Sequence, residues 1–239
     1  MKRFFKIVKV LFVSGLVVFL YGFSAHRNAL KKIEHIAIKI ENDSHLYVTK
    51  TTVNKMLKQK LESLKTPLKE GLFLNNLETA LRANALVENA EVFRNIKGDL
   101  GVIIKQKTPL ARVIGNKEVF YIDSNGGKMP LSKNYSASVP LVSGILYDDN
   151  LDSVYKLALY IQNDGFFKKQ IIGINKDENN EFELNTRLGN ALVELGNLEN
   201  MQGKLNNLKA YYLNAIQNKS INKYKKINLK YNNQVVCTK

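Results

Sequence analysis

The segment FYIDSNGGKMPLS, residues 120–132, combines residue types that occur both in catalytic loops and in tight turns. Asp123 and Ser124 could supply a carboxylate and a nucleophile, and the asparagine and two glycines that follow could supply a flexible backbone. A serine nucleophile needs a base nearby, but the histidines all lie upstream of residue 46. We therefore interpret the segment as a hairpin turn. Positive φ is expected at Asn125, Gly126 and Gly127.

The remaining candidates for chemistry are equally sparse. The chain has a single cysteine, Cys237, which excludes an internal disulfide and leaves no cysteine spacing typical of a metal site. A periplasmic hydrolase would need a histidine cluster, metal-ligand spacing or an activated serine, and the sequence shows none of these. We predict a protein that is not an enzyme, with no catalytic residues, no cofactor and no metal.

Positive charge is concentrated at the two ends of the chain. The formal net charge is +15. Residues 1–32 contribute seven of these charges and residues 218–239 contribute six, and neither segment contains an acidic residue. The chain between them is close to neutral, which is not typical of a surface that follows nucleic-acid phosphates.

The N-terminal segment predicts a membrane anchor. Residues 10–25 are uncharged and mostly apolar, and Lys6 and Lys9 can extend toward the interface, so the apolar span approaches the roughly 20 residues that a bilayer requires. We predict a cytoplasmic tail over residues 1–9 and a transmembrane helix over residues 10–27. A cleaved signal peptide is the alternative. Both place the rest of the chain outside the cytoplasm.

The first part of that exported region predicts an α+β module. Residues 36–40 alternate as a half-buried strand, and Thr49 is a candidate N-cap for the helix that follows. Asn75 with Glu78 resembles a capping box for a second helix. Two alternating runs then flank Lys97-Gly98-Asp99, which is typical of a hairpin. We predict a strand-helix-helix-strand-strand order within residues 28–113.

Residues 114–239 predict an antiparallel β-rich domain with packed helices. One helix follows a candidate cap at Asn150, and alternating runs over residues 170–175, 181–186 and 190–195 predict antiparallel strands. A final strand is expected where Ile227, Leu229 and Tyr231 alternate with polar residues. Before it, a helix is expected with an apolar stripe formed by Leu198, Met201, Leu205, Leu208 and Leu213.

A series of positions spread over most of the chain forms a recognisable pattern. These positions are Val87, Ala90, Val92, Arg94, Leu100, Ile104, Pro109, Ala111, Tyr121, Ile122, Asp123, Gly126, residues 139–144, Leu188-Gly189, Leu195-Gly196 and Lys204-Leu205. With them the sequence resembles the bacterial cell division family FtsQ/DivIB, whose first exported module is a POTRA domain with the same order of elements. Asn228 and Lys230 stand where the family commonly has aspartate and arginine, and Gln106-Lys107 replaces a commoner Glu-Arg pair.

The resemblance implies a role in assembling the division machinery at the septum. It implies a single-pass inner-membrane protein with a cytoplasmic N-terminus and a periplasmic bulk, whose POTRA-like module meets upstream division proteins. The C-terminal strand would hold small bitopic proteins similar to FtsB and FtsL. The lysine-rich end of the chain predicts an acidic surface on that partner. The partner-binding candidates implied by the family pattern are Lys230, Tyr231, Asn233 and Val235.

Two alternatives stay open at this stage. Tyr231 could belong to the core, with the lysines only protecting a strand edge from aggregation. The whole chain could instead be a POTRA-bearing translocation or chaperone factor of the envelope that binds extended polypeptides. The second alternative would need several such modules or a following membrane barrel, and too few residues remain for a usual large barrel.

Overall fold

The computed structural model describes residues 2–29, 35–41, 46–63, 70–95, 98–115, 118–144, 151–231 and 234–239. It is a mixed α+β fold with six helices and a large sheet within these residues. Helix α1 spans Lys2–Ala29. Over the described residues, no helix combines the length and apolar character that a membrane span needs. The transmembrane helix predicted for residues 10–27 is not confirmed.

The chain divides into two compact units. The first comprises residues 1–43 and 49–105, and the second comprises residues 44–48 and 106–239. Each is described by itself below.

The first unit has the predicted element order. It runs through β1 (Ile36–Ile40), α2 (Lys50–Ser63), α3 (Glu70–Arg82), β2 (Val87–Arg94) and β3 (Leu100–Gln106). The sheet order is β1-β3-β2, with β1 parallel to β3. β2 and β3 are consecutive in the chain and neighbours in the sheet, and the Asn95 N–H donates to the Asp99 carbonyl oxygen at 3.0 Å between them, as predicted for a hairpin. Lys97 of the predicted turn lies outside the described residues.

The two helices of this unit begin differently from each other. The Thr49 hydroxyl accepts a hydrogen bond from the Thr52 N–H at 3.2 Å, which confirms the predicted cap of α2. The capping box predicted at Asn75 is wrong, because α3 already begins at Glu70 and Asn75 lies inside it. Helix α3 turns Leu77 and Leu81 into the core.

The second unit contains a nine-stranded sheet in the order β12-β11-β10-β9-β8-β7-β4-β5-β6. Its strands are β4 (Pro109–Ile114), β5 (Val119–Asp123), β6 (Lys128–Pro130), β7 (Leu141–Gly144), β8 (Ile171–Lys176), β9 (Phe182–Thr186), β10 (Leu192–Gly196), β11 (Lys226–Asn228) and β12 (Val236–Thr238). Its helices are α4 (Asp152–Asn163), α5 (Phe167–Gln170) and α6 (Met201–Gln217).

The three strands predicted between residues 170 and 195 are confirmed as β8, β9 and β10, and they pair antiparallel. The sheet as a whole is mixed, however, because β4 with β7, β7 with β8, and β10 with β11 pair in parallel. Parallel neighbours need a crossover connection, and α4 with α5 and α6 provide two of these. The prediction of an antiparallel β-rich domain missed these parallel pairs and their connections.

The core of the second unit lies between the sheet and its helices. Val142, Leu184 and Val193 from the sheet belong to the same buried cluster as Leu157 of α4 and Leu208 of α6. Two predicted members of the α6 stripe are wrong. Leu198 precedes the helix, which begins at Met201, and Leu213 is exposed, whereas Tyr212 occupies the buried position beside it. Asn150, the predicted cap of α4, lies outside the described residues, and α4 is preceded by Leu151 without a side-chain cap.

Candidate partner-binding edge

The segment that suggested catalysis is a hairpin turn between β5 and β6. The Asp123 carboxylate is buried, where it accepts hydrogen bonds from the N–H groups of Asn125 and Gly127, both at 2.9 Å. It also pairs with the ammonium of Lys107 at 2.6 Å. These contacts use the carboxylate to hold the turn together. Of the three residues expected to have positive φ, only Gly126 does, at 80°.

The C-terminal segment forms two short strands where the sequence predicted one. β11 ends at Asn228, and Ile227 and Leu229 are buried as predicted, whereas the Tyr231 side chain is 57% exposed. The Asn228 side-chain oxygen accepts the N–H of Lys230 at 2.9 Å. This local side-chain bond is typical of an asparagine turn and competes with a continuing strand.

Asn228 also connects β11 to the neighbouring strand. Its side-chain amide donates to the Glu194 carboxylate at 2.9 Å, and Lys226 pairs with the same carboxylate at 2.8 Å. An aspartate, which the family commonly has at this position, could not donate this bond when ionised and would repel Glu194. Asparagine in place of the family's aspartate at position 228 is therefore compatible with Glu194 on the neighbouring strand, to which it donates a hydrogen bond.

Lys230 forms an ion pair with a residue of the same chain. Its ammonium pairs with the carboxylate of Glu181, which precedes β9. The hydrogen bond to Glu181 raises the pKa of Lys230 above its ordinary value. The stem of Lys230 passes over Gly196, where an added Cβ would lie 2.9 Å from the Lys230 Cγ, so the absence of a side chain leaves room for it. This lysine therefore ties the C-terminal segment to the sheet.

The four predicted contact residues thus have different surroundings. Lys230 is in an ion pair and Tyr231 is exposed. Val235 is partly buried against the core, and Asn233 lies outside the described residues.

The structure adds an element that the sequence analysis missed, the edge strand β12. It pairs antiparallel with β11 and ends the sheet. Val236 is 40% exposed and Thr238 is also exposed, whereas Cys237 between them is partly buried. The β-branched run after Asn232-Asn233 is the signal that could have revealed a second strand after a turn.

One face of β12 packs on helix α6, where the side chain of Cys237 contacts Tyr211. Burial, followed by the neighbouring Cys237 thiol, raises the pKa of Tyr211 on α6 to about 12. Burial also raises the pKa of the Cys237 thiol. Both groups are therefore neutral near pH 7, and their contact serves packing. This contact covers one face of β12. The hydrogen-bonding edge that faces away from β11 is one of the two ends of the sheet.

The lysines around this edge fall into two groups. Lys226 and Lys230 are paired with Glu194 and Glu181. Within the described part of the chain, four others have no acidic partner, and their charge is available to a binding partner. These are Lys219, Lys223, Lys225 and Lys239, of which Lys223 lies over the ring of Tyr224.

Comparison with known protein families finds a match to the part of the chain that contains this edge. The family described as FtsQ/DivIB, C-terminal related, matches residues 108–238, which are more than half of the sequence and include the whole nine-stranded sheet. No curated protein matches the chain.

Proposed function

Because the chain belongs to the FtsQ/DivIB family, we propose that it is a non-enzymatic assembly protein of the bacterial cell-division machinery. In this proposal it captures small bitopic proteins similar to FtsB and FtsL, and it links early and late division proteins at the septum. The observation that carries the proposal is the outer edge of β12, which ends the nine-stranded sheet and has no paired strand among the described residues.

The edge of β12 has the properties that strand addition requires. A partner strand that pairs with it gains backbone hydrogen bonds, and alternate side chains determine specificity. Val236 is exposed beside this edge, and Tyr231 precedes it as an exposed aromatic side chain. Tyrosine is favoured at the centres of protein interfaces because it is large and rigid and has a polar tip.

The opposite end of the same sheet is less suited to strand addition. It is formed by β6, which has three residues like β12 but ends with Pro130. Proline has no backbone N–H and is a common means of protecting an edge strand. β12 has no proline, which favours it as the docking edge.

The proposal includes the membrane anchor over residues 10–27. In helix α1, the described side chains of residues 11–24 are all exposed, and most of them are apolar. A helix with apolar side chains exposed on every side is favoured in lipid over water. This supports the anchor alone. The single pass through the inner membrane, the cytoplasmic tail of residues 1–9 and the periplasmic bulk complete the proposal and rest on the family resemblance.

The proposal also assigns residues 28–113 to a POTRA-like domain that meets upstream division proteins, and residues 114–239 to a β-domain that holds the partners. The strand and helix order of the first unit supports a POTRA-like domain. The family match to residues 108–238 supports the β-domain.

In-cell photocrosslinking tests the proposal. A photoreactive residue replaces Tyr231 in one variant and Val236 in another, and captured proteins are identified by mass spectrometry. We expect both variants to capture a short bitopic division protein. A matched control places the probe at Val119, a valine of β5 with a similar exposure of 41%. It should capture nothing of this kind.

Two results would contradict the proposal. Normal expression without a crosslink at either position would show that β12 has no bound strand in dividing cells. Capture of the same protein from Val119 with equal yield would show contact that is not specific to the β12 edge.

A further inference from the structure

The outer edge of strand β2 in the first unit is occupied by side chains. β2 is eight residues long and lies at one end of the order β1-β3-β2, so among the described residues β3 is its only neighbouring strand. An edge strand of this length presents a row of unpaired N–H and C=O groups that another chain can bind. In this unit, two of those groups already have partners.

Helix α3 supplies both partners. The Glu78 carboxylate accepts the N–H of Val92 at 2.9 Å. The Arg82 guanidinium donates to the carbonyl oxygen of Ala90, also at 2.9 Å. Since residues two apart in a strand direct their backbone groups to the same side, both bonds lie on one edge of β2. They supply one acceptor and one donor, as a neighbouring strand would.

The two side chains are held in this arrangement by each other. Glu78 and Arg82 are four residues apart on α3, so they share one face of the helix, and they form an ion pair at 3.3 Å. Arg82 also donates to the side-chain oxygen of Asn89 at 3.0 Å. The side chain of Glu78 is only 19% exposed, which limits the competition from water for the Val92 N–H.

We propose that Glu78 and Arg82 act in place of a neighbouring strand and close the outer edge of β2 to other chains. The competing occupant is the β2 strand of a second copy, because identical edge strands can pair about a twofold axis. Closure would keep the first unit from self-associating. This inference does not depend on the proposed capture of a partner at β12.

Amide hydrogen exchange of the full-length protein in mild detergent tests the closure directly. In Glu78→Ala, the Val92 amide loses its acceptor and should exchange at least about tenfold faster, since a hydrogen bond to a charged group is one of the stronger ones in proteins. Glu78→Gln keeps a side-chain oxygen and should retain most of the protection. Glu88→Ala also lies on β2, but it removes only the side-chain pair with Lys105 of β3 and should leave Val92 unchanged.

Self-association is measured in the double variant Glu78→Ala/Arg82→Ala, made in a Cys237→Ser background with a single cysteine at the exposed position Glu91. We expect concentration-dependent dimers that oxidise to a disulfide through Glu91→Cys, and at least tenfold fewer with Glu78 and Arg82 intact. Circular dichroism confirms that each variant is folded.

Either of two results would overturn the proposal. Unchanged exchange of Val92 in folded Glu78→Ala would show that the carboxylate does not protect the edge. Faster exchange without dimers in the double variant would show that the pair protects the amide but does not block another strand. If the double variant does not fold, Glu78→Ala in the same single-cysteine background provides the dimer measurement.

Discussion

The carboxylate of Asp164 connects two helices of the second unit. It accepts the N–H groups of Phe166 and Phe167 at 2.7 and 3.0 Å, at the start of α5, and it pairs with Lys209 of α6 at 3.0 Å. Burial alone would raise the pKa of Asp164, but these backbone bonds and the ammonium outweigh it and lower the pKa below its ordinary value. The ionised form is therefore favoured by folding.

This shift predicts how stability depends on acid. Since the pKa of Asp164 is lower in the folded than in the unfolded protein, its contribution is complete above about pH 4 and is lost as the pH falls through the folded value. We expect Asp164→Asn to unfold at lower urea concentration at pH 7 and to differ less from the parent protein at pH 3. Glu178→Gln, at an exposed position, is the control. An equal difference at both pH values would contradict the prediction.

At the scale of elements, the close pairing of β7 with β8 depends on Gly144. This residue has φ of 102°, and a Cβ at its position would overlap the carbonyl oxygen of Lys176 in the adjacent strand. The overlap is with backbone, so a change of side-chain rotamer cannot relieve it. The glycine of the family pattern at this position is explained by that contact.

We expect Gly144→Ala to lower the free energy of unfolding by more than about 2 kcal/mol, because strain at positive φ adds to the displacement of β8. Urea unfolding of the full-length protein measures this loss. Gly165→Ala provides the control, because no atom lies within 4 Å of the added Cβ and its φ is not positive. Similar unfolding midpoints for the two variants would show that β7 and β8 can separate without cost.

The sequence predicted the type and order of most helices and strands, but it predicted less of how the strands pair and how they are connected. Periodicity located β8, β9 and β10 within two residues, because each alternates between a buried and an exposed face. It did not reveal that α6 is a crossover between parallel strands, since that depends on pairing across distant segments. It also merged β11 with the residues after it, because the side-chain bond of Asn228 that ends β11 leaves no mark on periodicity.

The surroundings of the candidate contact residues were also hard to predict, because they depend on residues distant in sequence. Tyr231 could be recognised from sequence as a candidate contact, but its exposure depends on the turn that follows β11. Lys230 was expected to face a partner, and the acid that pairs with it, Glu181, is 49 residues away in sequence. Contacts at such a separation cannot be read from local pattern.

At the scale of the whole molecule, the positive charge near β12 is only partly neutralised within the chain. Lys225 and Lys239 flank the edge strand, and Lys225 donates its backbone N–H to the carbonyl oxygen of Thr238 at 2.8 Å. Neither lysine has an acidic partner among the described residues. Reversing Lys226 or Lys230 would instead break pairs with Glu194 and Glu181, so a loss of binding there would be ambiguous.

We therefore expect Lys225→Gln/Lys239→Gln to weaken capture of the bitopic partner about fivefold at low salt, since an exposed ion pair contributes roughly 0.2–1 kcal/mol. The difference from the parent protein should shrink as added salt screens these charges. The control, Lys168→Gln/Lys169→Gln on α5, removes the same net charge from another element. Binding of the purified partner, measured at low and high salt, separates the outcomes. An equal loss in both variants would assign the effect to net charge alone, and no loss in either would mean that strand pairing and apolar contacts suffice for capture.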